Sequence, residues 1–238
     1  MVLEVKDLVA GYEQRVLLRN LFFSVPAGSF VAIIGHNGCG KSTLFKTFTH
    51  QLPYGGQILL NGTELKQLKN PAARGLLAHL PQKNLVSFPV KVKDLVVMGA
   101  YRKKHFLESY ALEDYETVAF LLEKLQISHL SDRNFPDLSG GEQQMVWLAQ
   151  LMLQDAALCL LDEPTQQLDV YHKKKVFRIL AEWVEFQQKT VLCITHDLHN
   201  LNFMPGYLLN LSKPNPHLEA ISAQTISENQ EFLESAPY

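Results

Sequence analysis

Three groups of residues in this chain have types and spacing that could do chemistry. The first is Gly35-His-Asn-Gly-Cys-Gly-Lys41-Ser42, a match to G-x-x-x-x-G-K-[ST]. It follows an apolar run, Phe30 to Ile34, and opens an expected helix. Glycines let successive backbone N–H groups turn inward around phosphate oxygens. The helix N-terminus adds partial positive charge. Lys41 would reach the β- and γ-phosphates and Ser42 would offer a hydroxyl to Mg²⁺, with Gly35, Asn37, Gly38, Cys39, Gly40 and Thr43 completing the cradle. The second group is Leu158-Cys-Leu-Leu-Asp162-Glu163, a buried strand ending in two carboxylates. Neighbours on a strand face opposite sides, so the two carboxylates take different tasks. Asp162 is the natural Mg²⁺ partner, and Glu163 is left to orient or deprotonate a water. The third is Leu138-Ser-Gly-Gly-Glu142-Gln143, which reads as a helix start with Ser139 and Glu142 in a capping box. A glycine-rich helix start is also an anion site. One nucleotide needs one phosphate loop, so a second anion site suggests a nucleotide contacted from two sides.

These groups must be positioned by alternating strands and helices. Strand patterns run from Val2 to Val9, Phe30 to Gly35, Gln57 to Leu60, Gly75 to Leu80, Ala157 to Leu161 and Thr190 to Thr195. Gly55-Gly56 reads as a turn, and Asn61-Gly62 as a hairpin turn. Helices are expected from Lys41 to about Thr49 and from Val170 to Phe186, with another beginning at His196-Asp197. From about Lys91 to Leu153 the period is mostly helical, which reads as an insertion of three helices. The alternation implies parallel βαβ units, hence an α/β fold. The stretch from Lys213 onward carries prolines and polar residues and receives no element.

The bulk numbers agree with such a fold. The chain has 238 residues, of which 47% are hydrophobic and 19% charged, which excludes wholesale disorder. Net charge is −2, so no bulk attraction to nucleic acid is expected. Cys39, Cys159 and Cys193 form no metal-type pair, and the latter two sit in apolar runs. The N-terminal residues lack the pattern of a signal peptide, and no apolar run approaches the ~18 residues of a membrane helix. A cytosolic chain is therefore expected, and if it works at a membrane it must borrow the helices of another subunit.

Taken in order, the phosphate loop, Leu-Ser-Gly-Gly-Glu and the Asp-Glu strand end resemble those of ATP-binding cassette (ABC) ATPases over about residues 2 to 212. The resemblance implies a P-loop NTPase core with a mostly parallel sheet, an N-terminal antiparallel β region and a helical insertion subdomain. In residue terms this is a single ABC ATPase domain: a core of residues 1–82 and 156–212, a helical subdomain of 83–155, and a tail of 213–238. It implies a head-to-tail dimer with two ATP molecules, each held between one copy's phosphate loop and the other copy's signature, Ser139, Gly140 and Gly141. Tyr12 matches the aromatic that stacks on adenine. Gln82 matches the glutamine that senses Mg²⁺ and the γ-phosphate and couples to a membrane partner. Asp169 matches the aspartate loop at the dimer interface, and His196 the switch histidine at the γ-phosphate. Glu163, His196 and Gln82 are thus the expected catalytic set, and Ser42, Gln82 and Asp162 the expected metal set. Three departures from the family pattern stand out: Gln166-Gln167 before Leu-Asp, Met145 where arginine is common, and the segment from Lys213 to His217.

A finer resemblance lies in Phe88 to Tyr101, Ile127 to Arg133 and Leu168 to His172. These segments are similar to those of bacterial importers for iron–siderophore complexes, haem and cobalamin, with zinc/manganese and molybdate importers sharing part of the pattern. The partners so implied are integral membrane permease subunits, a second copy of the chain and, indirectly, a substrate-binding protein. The implied location is the cytoplasmic face of the inner membrane. The alternatives are a zinc/manganese or molybdate importer ATPase, or a soluble cassette ATPase that remodels a cytosolic complex, such as one for iron–sulfur assembly. The basic runs Arg102-Lys-Lys104 and Lys173-Lys-Lys175 read as solvated faces, with lipid headgroup or coupling contacts a second reading for the first run.

Overall fold

The structure is a computed structural model and describes residues 1–235 apart from 14, 85, 106 and 107, with the side chain of Lys103 also left out. Its first two strands, β1 (Leu3–Tyr12) and β2 (Arg15–Val25), pair antiparallel. The strand β3 (Phe30–Ile34) is buried along its whole length and leads through a glycine turn into α1 (Lys41–Phe48). Next come β4 (Tyr54–Leu60), β5 (Thr63–Glu64) and β6 (Leu77–Leu80). Helices α2 (Val92–Val97), α3 (Leu112–Lys124) and α4 (Gly140–Gln154) follow, with short 3₁₀ turns between them. The chain then returns to alternation with β7 (Leu158–Asp162), α5 (Val170–Glu185), β8 (Thr190–Ile194) and β9 (Gly206–Asn210). It closes with β10 (Leu218–Ala220) and α6 (Ala223–Ser235).

Two sheets result. One is antiparallel, in the order β2-β1-β4-β5, and the other has six strands in the order β10-β9-β3-β8-β7-β6. In the larger sheet, β9, β3, β8, β7 and β6 run parallel and β10 joins the edge antiparallel. Both faces of β3 are covered, which explains its unbroken apolar sequence. Phe30, Ala32 and Ile34 pack toward a cluster shared with α2 to α5. Val31 and Ile33 face the other way, into a cluster with Leu44, Phe45 and Phe48 of α1 and the antiparallel sheet. The helical insertion therefore shares one apolar core with the sheet.

Three local expectations are corrected. Gly55 and Gly56 lie inside β4, opposite a register shift in β1 between Lys6 and Val9, and do not form a turn. Gly56 sits at φ 79°, and a Cβ there would come within 2.1 Å of the Asp7 carbonyl oxygen, so glycine is needed for strand approach. The segment after His196 is a 3₁₀ turn, Leu198–Phe203, and not an α-helix. Residues 213–235 are well structured, adding a strand to the large sheet and a helix against its end. By contrast, Asn61 and Gly62, both at positive φ, form the expected two-residue hairpin joining Leu60 to its partner Thr63.

The order of the large sheet positions the site. The adjacent strands β3, β8, β7 and β6 end, at one edge, in the turn starting at Gly35, in His196, in Asp162-Glu163 and in Gln82. Parallel sheets bind ligands outside these carboxyl ends.

Candidate nucleotide site

The turn between β3 and α1 is shaped by glycine. Gly40 caps α1 at φ 110°, and a Cβ on it would lie 2.6 Å from Cδ2 of Leu18. No other residue type adopts that geometry without strain. Lys41 is 7% exposed. Its Nζ donates to the carbonyls of Gly35 (2.6 Å) and His36 (3.1 Å), so the ammonium sits within the loop it closes. Asn37 and Gly38 are exposed at the loop's mouth, with Cys39 half-buried behind them. Thr43 is buried. Tyr12, at the end of β1, is 43% exposed. Its hydroxyl accepts from Lys46 Nζ at 3.0 Å, and that hydrogen bond lowers the phenol's pKa.

The strand-end carboxylates diverge as alternation requires. Asp162 is buried close to the Ser42 hydroxyl. Burial pushes its carboxyl above the usual range, with the nearby Ser42 hydroxyl working against that shift. Its Oδ1 has no hydrogen-bond partner. A buried carboxylate oxygen left open beside a hydroxyl is the donor set a hard divalent cation takes. Glu163 turns at φ 52° toward the neighbouring strands. Its Oε2 accepts from Gln82 Nε2 at 3.1 Å, and His196 Nε2 lies 3.3 Å from its Oε1. Gln82 Nε2 also donates to Gln166 Oε1 at 3.2 Å, so the first of the two unusual glutamines is tied into this group. Sequence reasoning missed Gln166 in this place, and also missed Thr165, Lys173 and Asp197. Thr165 Oγ1 and Lys173 Nζ both donate to the Asp197 carboxylate, the latter at 2.8 Å, and so fasten the segment after β8 to the one after β7. The only signal for Asp197 was its place next to His196; Lys173 was hidden in a basic run.

The signature opens mainly on a different cleft from the phosphate loop. Ser139 caps α4 as expected: its Oγ accepts from Glu142 N (3.4 Å), and Glu142 Oε2 accepts from Ser139 N (2.8 Å) and Oγ (2.7 Å). These bonds hold the Glu142 carboxyl below its usual range. Asp169 caps α5, accepting from His172 N at 2.8 Å and pairing with His172 Nδ1 at 2.9 Å. The backbone bond from His172 is the larger cause of its lowered pKa. Both caps open on one cleft of about 700 Å³, which Ser139, Gly140, Gly141, Leu168, Asp169 and His172 help to line. Among the described residues, no member of the phosphate loop lines it. One chain thus brings Gln82, Asp162, Glu163 and His196 to the phosphate-loop edge, while Ser139, Gly141 and Asp169 line a different cleft and Gly140 lines both that cleft and a smaller cavity shared with Gln82. Ser139→Ala should cost about 1 kcal/mol of stability through the lost cap, read by urea unfolding. An unchanged midpoint would contradict the capping geometry.

Met145 is 1% exposed in the helical core, which accounts for an apolar residue at that position. The basic runs are not free solvated faces. Arg102 donates to the Gln154 carbonyl and packs on Gly75, while Lys104 pairs with Asp114. Lys173 pairs with Asp197, and Lys175 donates to Leu125 O and to Gln126. Lys174 alone is exposed, and the Lys103 side chain lies outside the described residues. Among the described residues, no cluster of three or more His, Cys, Asp or Glu could hold a metal ion, and no helix is long and apolar enough to cross a membrane.

The glycine turn around Lys41, the carboxylates beyond β7 and the six-stranded sheet define a phosphate-loop nucleotide-binding protein. A family model described as ABC transporter matches residues 18–166, and the chain belongs to that family. Family membership implies ATP binding and hydrolysis. The chain is 40% identical over 213 residues to a Cyanophora paradoxa protein named "Probable ABC transporter ATP-binding protein in ycf23-apcF intergenic region", covering 87% of this chain and 85% of the other. It is 36% identical over 195 residues to the achromobactin transport ATP-binding protein CbrD of Dickeya dadantii, covering 82% and 72%. The zinc uptake system ATP-binding protein ZurA of Listeria innocua is 32% identical over 213 residues, covering 89% and 83%. Among solved structures, one described as "An inward-facing conformation of a putative metal-chelate type ABC transporter" superposes with TM-score 0.81 at 28% identity, covering 99% of this chain and 90% of that one.

Proposed function

We propose that this chain is the ATP-hydrolysing subunit of a bacterial importer that takes up an iron chelate (siderophore or haem) or cobalamin. It would sit on the cytoplasmic face of the inner membrane, bound to permease subunits and paired head-to-tail with a second copy. The observation that carries the catalytic reading is the meeting of Gln82 and His196 on Glu163, beside the phosphate loop and away from the signature cleft. The iron-chelate reading rests on the similarity to the achromobactin protein and to the metal-chelate transporter.

In this reading Tyr12 stacks on adenine, and the loop from Gly35 to Thr43 binds the phosphates with Lys41 at their terminal oxygens. Glu163 orients and deprotonates the attacking water, held in place by Gln82 and His196. Ser139, Gly140 and Gly141 of one copy bind the γ-phosphate held by the other, with Asp169 at the joint. Ser42, Asp162 and Gln82 would hold Mg²⁺, which when bound offsets phosphate charge. The core of residues 1–82 and 156–212 would act as the nucleotide-binding body, with 83–155 as the subdomain facing the permease and 213–238 as a C-terminal tail.

Asp162→Asn separates the needs of the fold from those of the metal. Ionising a buried carboxyl whose pKa is raised weakens the fold. That penalty is absent below the ordinary aspartate pKa and complete above the raised one. At neutral pH the nucleotide-free variant should melt no lower than the parent while losing ATP turnover. A clearly lower melting temperature would show that the carboxylate serves the fold instead.

The importer reading is tested by purifying the tagged chain from its native cells with and without detergent. A multi-span membrane protein recovered only in detergent supports it. Recovery with a soluble partner alone would replace it with the complex-remodelling ATPase and leave the ATP chemistry unchanged.

A further inference from the structure

The phosphate loop is gripped from outside its own βα unit. The His36 backbone N–H donates to Ser212 Oγ at 2.8 Å, and the His36 ring Nε2 lies 3.0 Å from the Leu233 carbonyl oxygen on α6. A carbonyl only accepts, so Nε2 carries the proton in this contact. The same ring lies 6.4 Å from that of Phe232, centroid to centroid. Ser212 is itself held: its N–H donates to Asn210 Oδ1 at 2.9 Å. Asn210 Nδ2 donates in turn to Asn229 Oδ1 of α6 at 2.9 Å. Asn229 Nδ2 then donates to Glu219 Oε2 (2.9 Å) and to the Thr225 carbonyl (2.8 Å).

Asn210 and Asn229 are 1% and 0% exposed. Burying two side-chain amides is costly unless their groups are bonded, and here each amide both donates and accepts. A satisfied buried network has one low-energy arrangement, so it transmits position. At its far end is His36, whose carbonyl also receives Lys41 Nζ. The same helix packs against the 3₁₀ turn that follows His196, so it touches segments from two strand ends of the site.

We propose that α6 is a strap that sets the shape of the phosphate loop, with Asn229, Ser212 and His36 as positioning residues. Docking of α6 holds the loop ready for a nucleotide, and its release slackens the loop and lowers affinity. The proposal rests on the reading of residues 35–42 as the nucleotide cradle.

The test uses the full chain with Ser212→Ala, Asn229→Ala and both together. ATP affinity is measured by calorimetry, and amide hydrogen exchange at residues 36–41 is measured in the nucleotide-free protein. Losing one hydrogen bond of the chain should weaken ATP binding about fivefold. The double variant should be no weaker than the weaker single, because both act along one path. Exchange at 36–41 should rise in Ser212→Ala while its melting temperature stays at the parental value. Ser212 is partly exposed, so this variant remains decisive if Asn229→Ala fails to fold. Parental affinity and parental exchange in Ser212→Ala would overturn the strap, as would losses that multiply in the double variant. If the parent itself bound no ATP, the nucleotide reading would fall, while the exchange data would still decide whether α6 holds the loop.

Discussion

Lys41→Ala is expected to lose most of its ATP affinity. Lys41 is 7% exposed and its ammonium is bonded to the Gly35 and His36 carbonyls, so it is fixed in the turn with little freedom to lose when phosphates arrive. A hydrogen bond to a charged group contributes about 1.5–3 kcal/mol, and Lys41 would make such bonds to the terminal phosphates. The loss should therefore be on the order of a hundredfold or more in dissociation constant. Alanine also frees the Gly35 and His36 carbonyls at the start of the turn, so the nucleotide-free melting temperature is recorded alongside. Equal affinity by calorimetry would refute the phosphate-loop role of Lys41.

Glu163→Gln should bind ATP normally and turn it over at about 10²–10⁴-fold lower rate, the range for loss of a positioned general base. The amide oxygen can still accept from Gln82 or His196, so the local arrangement survives. What is lost is the capacity to take a proton. With hydrolysis blocked and the γ-phosphate retained, the ATP-bound pair should accumulate, and the 27.0 kDa chain should run at twice that mass in MgATP but not in MgADP. Turnover at the parental rate would show that another group is the base.

The main architecture was legible because both faces of the large sheet are covered. Full burial leaves runs such as Phe30 to Ile34 and Leu158 to Leu161, which stand out against polar flanks. The phosphate loop, Ser139 cap and Asp-Glu strand end were legible because their chemistry needs fixed spacing. The sequence was less informative where tertiary contact decides. Gly55-Gly56 has the composition of a turn, but the bulge at Asp7 in β1 draws it into a strand. The chain after Lys213 looks polar because α6 buries only Ile226 and Asn229 fully, and Asn229 is held by hydrogen bonds that no periodicity reveals. The grouping of Gln82 with Glu163 and His196 came only from the family resemblance, because it spans three strand ends and spacing along the chain does not encode which strands are neighbours. Lys104 and Lys173 read as surface charge because their partners, Asp114 and Asp197, lie in other elements.

The central claim is that two copies complete each other's sites, since one chain keeps its phosphate loop and its signature on separate surfaces. Mixing two inactive variants tests it most directly. Lys41→Ala lacks a working phosphate loop, and Ser139→Arg lacks a working signature. Alone, each should be close to inactive. Mixed in equal amounts in the wild-type assembly, half of the pairs should be heterodimers with one intact site in two. Activity should then recover to roughly a quarter of the parental rate if the sites fire independently. A mixture as inactive as its components would contradict the shared site and place the whole reaction within a single chain.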